Sequence, residues 1–131
     1  KGVLTKDIMS KDFAIISPTP TVAQLINDYV LPDRYHSFLV TEDGILRGII
    51  SLEQIRSTPR RRWTTAAVRE VMIPIERLQR VDPEEDVYSL LEKLEDENLE
   101  LLPVVNDGVI IGVVGQEEIG RYLRRRSLIG I

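Results

Sequence analysis

Apolar and polar positions follow one succession twice along this chain of 131 residues. A helix is predicted after Thr21 and another after Asp86, because a hydroxyl or carboxylate side chain in front of an apolar repeat is typical of a helix N-cap. Pro32 is the predicted end of the first helix. The apolar residues at helical spacing are Val22, Leu25, Ile26 and Tyr29 in the first helix and Val87, Leu90, Leu91 and Leu94 in the second.

Short apolar segments before and after each predicted helix are predicted strands. These segments are residues 13–16, 37–41 and 45–51 in the first half and residues 78–81, 101–106 and 109–114 in the second. The last two of each half are joined by Asp43-Gly44 or by Asp107-Gly108, a dipeptide that favours a β-hairpin turn. A closing helix is predicted to begin near Leu52 and near Gln116. The predicted fold class is therefore α/β, with the order strand, helix, strand, strand, helix in each half.

The two halves are copies of one sequence unit. Asp43-Gly44 and the following Gly48-Ile49-Ile50 return 64 residues later as Asp107-Gly108 and Gly112-Val113-Val114. Repeats of this length duplicate a supersecondary unit whose apolar face is buried by its twin. The predicted organisation is a first motif at residues 1–57, a linker at 58–65, a second motif at 66–126 and a tail at 127–131.

Composition narrows the function classes. The chain is 43% hydrophobic and 29% charged, has a net charge of −4 and contains no cysteine, so disulfides and thiol chemistry are excluded. The acidic balance and the 5% aromatic content argue against nucleic-acid binding. One histidine cannot form a metal cluster, and no glycine-rich phosphate loop or nucleophile elbow occurs. No apolar run reaches the roughly 18–20 residues of a membrane span, and the start has no signal-peptide pattern. Catalytic and metal sites are therefore not predicted.

The repeated motifs resemble those of the CBS (cystathionine beta-synthase) domain family over nearly the whole chain. The matching elements are the Asp7-Ile8-Met9 and Glu70-Val71-Met72 openings, the Leu102-Pro103-Val104 motif and the two Asp-Gly hairpins. The resemblance implies two pseudo-symmetric motifs packed sheet to sheet into one disc, a Bateman module. It also implies a regulatory domain that binds adenine nucleotides, docks on larger proteins and forms homodimers.

A narrower resemblance connects the chain to one group of CBS proteins. The stretches 35–40 and 48–55, followed by Thr58-Pro59-Arg60, Trp63 and Val71-Met72, look like the CBS pair of site-2-protease-type membrane metalloproteases. The resemblance implies a cytoplasmic appendage at the cytosolic face of a membrane, attached to or neighbouring the protease domain. The catalytic His-Glu-x-x-His motif of such proteases is absent here.

The family's ligand site uses a hydroxyl and a carboxylate at the start of each closing helix, in the pattern Ser/Thr-x-x-Asp, and both copies depart from it. The first copy has Ser51 and Gln54, with an amide where the acid is expected; the second has Gly115 and Glu118, which lacks the hydroxyl and carries a longer acid. The resemblance makes the first copy the better site. The ligands it implies are AMP, ADP, ATP or S-adenosylmethionine, and an empty, solvent-exposed helix start is the alternative.

Further ligand positions follow from the same resemblance. The nucleotide-binding candidates are Ser10, Ile15, His36, Ser37, Leu39, Ser51, Gln54, Gln79, Leu101, Pro103 and Glu118, and the phosphate candidates are Arg60 and Arg61. His36 can hold a phosphate or sense pH; its alternative is a half-exposed residue at a strand entry. Trp63 is predicted to pack the linker onto the domain. Arg124-Arg125-Arg126 either complements a helix dipole as a solvated face or binds phosphate or anionic lipid.

Two functions remain at this point. The first is a regulatory module that senses an adenosine-containing ligand and modulates an attached membrane metalloprotease. The second is a purely structural docking or dimerisation module without a small-molecule ligand.

Overall fold

The computed structural model describes residues 2–97 and 99–131. The chain forms two compact units, one of residues 13–78 and one that combines residues 2–12 with 79–131. The sequence repeats have different boundaries from these units. The segment around Met9 opens the first repeat but belongs to the unit that contains the hairpin of the second repeat. The segment around Met72 opens the second repeat but belongs to the unit that contains the hairpin of the first.

The unit of residues 13–78 contains a four-stranded sheet in the order β1-β2-β3-β4. Its elements are β1 Ala14–Ile16, α2 Val22–Leu25, β2 Ser37–Glu42, β3 Ile45–Ser51, α3 Leu52–Ser57, α4 Val68–Val71 and β4 Ile73–Pro74. Strand β1 runs parallel to β2, whereas the pairs β2–β3 and β3–β4 are antiparallel. Alternate residues of the sheet therefore point to opposite faces.

One face of this sheet packs on the helices and forms an apolar core. Phe38, Val40 and Ile50 lie on that face, and all are buried. The other buried members of the cluster are Ile16, Val22, Leu25, Ile55, Ala66 and Val68. Val22 and Leu25 come from the predicted apolar face of the first helix, so the hydrophobic spacing identified this side of the core.

The unit of residues 2–12 and 79–131 repeats the layout with shorter outer strands. Its elements are α1 Thr5–Ile8, α5 Val87–Glu97, β5 Leu101–Asn106, β6 Val109–Gly115 and α6 Gln116–Leu128. β5 and β6 form an antiparallel pair. A parallel bridge joins Val81 to Val104 at the place that β1 occupies in the unit of residues 13–78. An antiparallel bridge joins Ser10 to Val113 at the place that β4 occupies there.

The predicted caps and hairpin turns are present. Thr21 Oγ1 accepts a hydrogen bond from the Gln24 N–H at 3.1 Å, and Asp86 Oδ1 accepts one from the Ser89 N–H at 2.9 Å. Asp43 and Asp107 have φ angles of 54° and 51°, and the glycines that follow both have 78°. Positive φ at both central residues defines the type I′ turn that Asp-Gly favours.

Two predicted elements differ in detail. The first helix changes at Ile26 into a π-helical turn, Ile26–Val30, and the Leu31 N–H donates to the Ile26 carbonyl at 2.9 Å. The helical hydrogen bonds there span five residues instead of four, directly before Pro32, which has no N–H to continue the helix. The strand predicted at 78–81 is reduced to the single bridge at Val81. The Leu78 N–H instead donates to Ile75 at the end of a 3₁₀ turn, at 3.1 Å, so it does not join a strand ladder.

Candidate functional site

Polar candidates converge at the junction between β3 and α3. Ser37 and Ser51 face each other across the hairpin, and the Leu52 N–H donates to the His36 carbonyl at 3.1 Å. Gln54 turns back toward the junction, where its Oε1 accepts from the Ser51 N–H at 2.8 Å and from Ser51 Oγ at 2.7 Å. Ser51 is buried, whereas His36 is exposed. The predicted candidates Ser51 and Gln54 therefore lie together, but the Gln54 carbonyl oxygen already caps its own helix.

Four of the predicted ligand residues share one face of the sheet. Ile15 lies beside Leu39 in the parallel pair, and Leu39, Ser37 and Ser51 occupy the same face by strand alternation. This is the face opposite the Phe38 core. Leu39 is buried, but Ile15 is 51% exposed. The face combines an accessible apolar side chain with a hydroxyl and amide group.

The phosphate candidates occupy a 3₁₀ turn, Arg60–Arg62, in the linker. The Arg60 guanidinium stacks on Trp63, 5.1 Å from the ring centroid. The Trp63 Nε1–H donates to the Thr58 carbonyl at 3.0 Å, and the indole packs against the apolar core. Trp63 therefore anchors the linker, as predicted. Within residues 2–97 and 99–131, no hydrogen bond or ion pair joins Arg60 or Arg61 to Ser51 or Gln54.

The corresponding junction in the other unit is closed. Gly115 faces Leu101, and the Gln116 N–H donates to the Glu100 carbonyl at 3.2 Å. A Cβ added to Gly115 would lie 1.9 Å from that carbonyl oxygen, so the backbones approach too closely for any side chain. The hydroxyl of the family pattern has no room at this position.

Glu118 stands at the position of the ligand acid in the family pattern, at the start of α6, and only 7% of the residue is exposed. Burial raises the pKa of the Glu118 carboxyl above its ordinary value, although the backbone N–H groups of Gly115 and Glu118 act in the opposite direction. Glu118 is therefore a buried acid whose charged form is disfavoured, in contrast to Gln54, which caps its own helix.

The remaining candidates of this unit lie apart or serve the backbone. The Ser10 N–H and carbonyl exchange hydrogen bonds with Val113, each 2.8 Å long. Pro103 is buried opposite Val113, and Gln79 is half-buried just before the Val81 bridge. These residues line the sheet without forming a polar cluster like that of Ser51 and Gln54.

Replacing Glu118 by glutamine is expected to raise the free energy of unfolding at pH 7. The pKa of Glu118 in the folded state lies above its unfolded value of about 4.3. The free energy of unfolding therefore falls as the pH rises from that unfolded value to the raised folded value, and it stays lower at higher pH. E118Q removes this loss, so the difference in unfolding free energy between E118Q and the parent should vanish below about pH 4. Urea denaturation across pH 3–8 measures this difference. The control E117Q, at a neighbouring exposed acid, should stay within about 0.5 kcal/mol of the parent; an equal gain in E117Q contradicts the assignment.

A partly buried polar cluster around Glu85 was not recognised in the sequence. Lys93 Nζ lies 2.9 Å from the Glu85 carboxylate and also donates to the Arg80 carbonyl, while Ser89 Oγ donates to Glu85 at 2.6 Å. Burial raises the pKa of the Glu85 carboxyl, but hydrogen bonds from Ser89 and Lys93 outweigh it, so the pKa is lowered overall. The signal was the spacing of Ser89 and Lys93, which lie four residues apart on one face of α5, with Glu85 four residues before Ser89 and just outside the helix.

The chain belongs to the CBS-domain family, because the CBS domain matches it twice, over residues 5–60 and 68–125. The chain is thus a tandem CBS pair, a regulatory module. It is similar to the putative zinc metalloprotease Rip3 of Mycobacterium tuberculosis, with 25% identity over 124 residues, 93% of this chain and 32% of that protein. The chain therefore spans about a third of the length of the curated relatives it matches. This similarity confirms the predicted likeness to the CBS pair of zinc metalloproteases.

Two solved structures show the same fold. One is the CBS pair of protein MJ0100 in complex with 5′-methylthioadenosine and S-adenosyl-L-methionine, with a TM-score of 0.78 and 21% identity, covering 96% of this chain and 99% of that one. The other is the cytosolic domain of the Mg²⁺ channel MgtE in complex with ATP, with a TM-score of 0.69 and 21% identity, covering 88% and 46%. The predicted α/β fold is confirmed.

Within residues 2–97 and 99–131, no group of three or more His, Asp or Glu side chains is arranged to hold a metal ion. No helix within these residues is both long and apolar enough to cross a membrane.

Proposed function

We propose that this chain is a regulatory module that senses an adenosine-containing ligand through the unit of residues 13–78. The observation that carries the proposal is the sheet face on which exposed Ile15 lies in register with Leu39, beside Ser37, Ser51 and Gln54. AMP, ADP, ATP and S-adenosylmethionine are the candidates, and the ligands named for MJ0100 and MgtE support this class.

The chemistry of this face fits an adenosine in two parts. Ile15 offers apolar area to a purine ring. Both lone pairs of the Gln54 carbonyl oxygen receive bonds from Ser51, so the amide NH₂ is the group that can donate to a ribose oxygen. A neutral donor gives a weaker bond than the carboxylate of the family pattern. We therefore expect weak binding, and only in this unit, because Gly115 and Glu118 close the other.

We also propose that the intact protein carries a membrane zinc protease whose activity this module modulates at the cytosolic face. The support is the similarity to the putative zinc metalloprotease Rip3 and the fact that this chain covers only 32% of it. Reading the flanking gene sequence tests the proposal. Hydrophobic spans with a His-Glu-x-x-His motif are expected, and their absence overturns the protease connection while the CBS assignment stands.

Replacing Gln54 by aspartate is expected to tighten adenosine-ligand binding about tenfold, since a charge-assisted hydrogen bond is roughly twice as strong as a neutral one. Isothermal titration calorimetry with AMP, ADP, ATP and S-adenosylmethionine measures the change. Gln116→Asp is the matched control, an exposed glutamine-to-aspartate change at the start of α6, and should leave binding unchanged.

Two results overturn the sensor proposal. One is the absence of heat and of a melting-temperature shift with all four ligands at millimolar concentration in both the parent and Q54D. The other is equal tightening in Q54D and Q116D, which would reflect added charge rather than a site at Gln54.

The second candidate is a docking or dimerisation module with no small-molecule ligand. It is favoured by the two residues at the ligand-acid position, because the Gln54 carbonyl oxygen caps its own helix and Glu118 is buried. Sedimentation equilibrium distinguishes the candidates. A structural module should form a homodimer whose dissociation constant is unaffected by the four ligands and by Q54D.

A further inference from the structure

The last part of α6 leaves the body of its unit. Every residue from 123 to 131, which we name the α6 tail, is exposed. Four of these residues are large and apolar, with exposed fractions of 55%, 83%, 73% and 71% for Leu123, Leu128, Ile129 and Ile131. Single exposed apolar side chains are ordinary, but a group of four in nine residues forms a patch that favours an apolar partner.

The same segment concentrates positive charge. Residues 119–131 contain four arginines and no acidic side chain, in a chain whose net charge is −4. Arg121 lies 3.7 Å from Glu117. Within residues 2–97 and 99–131, no Asp or Glu side chain lies within ion-pair distance of Arg124, Arg125 or Arg126. The tail therefore presents three guanidinium groups among its apolar side chains without an acidic side chain to neutralise them.

The end of the tail is folded back by hydrogen bonds. The Ile131 N–H donates to the Arg126 carbonyl at 2.9 Å, and the Arg126 guanidinium donates to the Ile131 oxygen at 3.1 Å. The Gly130 N–H donates to Ser127 at 3.2 Å and Gly130 has a φ of 80°, so this is a Schellman motif. It holds Ile129 and Ile131 beside the arginines, around an open depression of about 460 Å³ lined by Leu123, Arg126, Ser127, Gly130 and Ile131.

We propose that the α6 tail docks on the surface of an anionic phospholipid bilayer. Apolar side chains that enter the headgroup boundary and arginines that contact lipid phosphates are the two components of interfacial binding. A second copy fits this surface poorly, because a twofold contact would place the arginines of one tail against those of the other. The proposal is independent of whether the unit of residues 13–78 binds an adenosine ligand.

Vesicle co-sedimentation of this chain tests the proposal. Vesicles of phosphatidylcholine are compared with vesicles of phosphatidylcholine and phosphatidylglycerol in a 3:1 ratio, at 50 and 500 mM NaCl. Binding is expected only to the anionic vesicles, and it should weaken strongly at high salt because surface charges are screened. A contribution of about 1 kcal/mol per surface arginine predicts that R124A/R125A/R126A loses on the order of 100-fold in affinity.

Matched variants separate this surface from a general effect of charge. R47A/R69A/R77A removes three exposed arginines from the other unit and should bind like the parent. L128S/I129S keeps the charge and should weaken binding by more than tenfold, since it removes two exposed apolar side chains. All of these positions are exposed, so circular dichroism should report parent-like folding.

Three results overturn the proposal. Equal binding to neutral and anionic vesicles removes the role of the arginines. Equal loss in the two triple-arginine variants shows that net charge alone is responsible. Failure to bind any vesicle, with concentration-dependent self-association that L128S/I129S abolishes, makes the tail a contact between copies of this chain.

Discussion

Replacing Gly115 by alanine is expected to lower the free energy of unfolding by about 3 kcal/mol, the upper range for forcing extra volume into a packed site. The added Cβ would lie 1.9 Å from the Glu100 carbonyl oxygen and 2.8 Å from the Leu101 Cα, and both are backbone atoms that cannot rotate away. Moving Glu100 would also break its hydrogen bond with the Gln116 N–H, at the first turn of α6. The closing helix would lose its attachment to β5.

Urea denaturation followed by circular dichroism measures this loss. Gly120→Ala is the matched control, because Gly120 lies within α6 and a Cβ added to it would have no neighbour within 4 Å. The control should gain about 0.5–1 kcal/mol, since alanine favours the helix over glycine. The two substitutions are therefore expected to have opposite signs. A Gly115→Ala cost below about 0.5 kcal/mol, within the range of ordinary surface substitutions, would show that the junction can open.

The same contact explains why this copy lacks the hydroxyl of the family pattern. Gly115→Ser would restore the pattern in the sequence, but its Cβ meets the same carbonyl oxygen. We therefore expect it to destabilise the unit without creating a ligand site. Ser51, at the corresponding position of the other unit, keeps its side chain and bonds Gln54.

The parts of the fold that depend on neighbouring residues could be predicted from the sequence. Asp43-Gly44 and Asp107-Gly108 specify their turns because few other residues tolerate a positive φ. Thr21 and Asp86 cap helices through bonds to residues three positions later. The buried Leu90 and Leu94 follow from helical spacing alone. Each of these features is decided within a few residues of the chain.

The parts that depend on distant backbone could not be predicted in this way. Nothing local shows that Ser10 pairs with Val113, or that Gly115 lies against Glu100. The sequence also identified Gln54 and Glu118 as ligand candidates without revealing that Gln54 turns back onto its own helix start or that Glu118 is buried. Whether Gln54 faces a ligand or its own backbone is a matter of side-chain conformation. That conformation decides between the ligand-sensing function and the docking function.

Truncating Phe38 to alanine is expected to cost about 3–5 kcal/mol of unfolding free energy, the range for removing a buried aromatic side chain. Phe38 is 1% exposed and lies in the centre of the core face of β2. The rings of Tyr29 and Tyr35 meet it edge-on, with centroids 6.4 and 6.5 Å away. Removing the ring therefore leaves a cavity and two aromatic contacts without a partner.

A graded series checks the cause of this loss. Phe38→Leu keeps most of the volume and should cost less than about 1.5 kcal/mol, whereas Tyr88→Ala removes an aromatic ring that is 80% exposed and should cost less than about 0.5 kcal/mol. The neighbours of Phe38 on β2, Ser37 and Leu39, point to the opposite face, where the adenosine ligand is proposed to bind. Phe38→Leu, if folded, should thus keep the ligand affinity of the parent. Equal costs for Phe38→Ala and Tyr88→Ala would mean that β2 is not packed on this core.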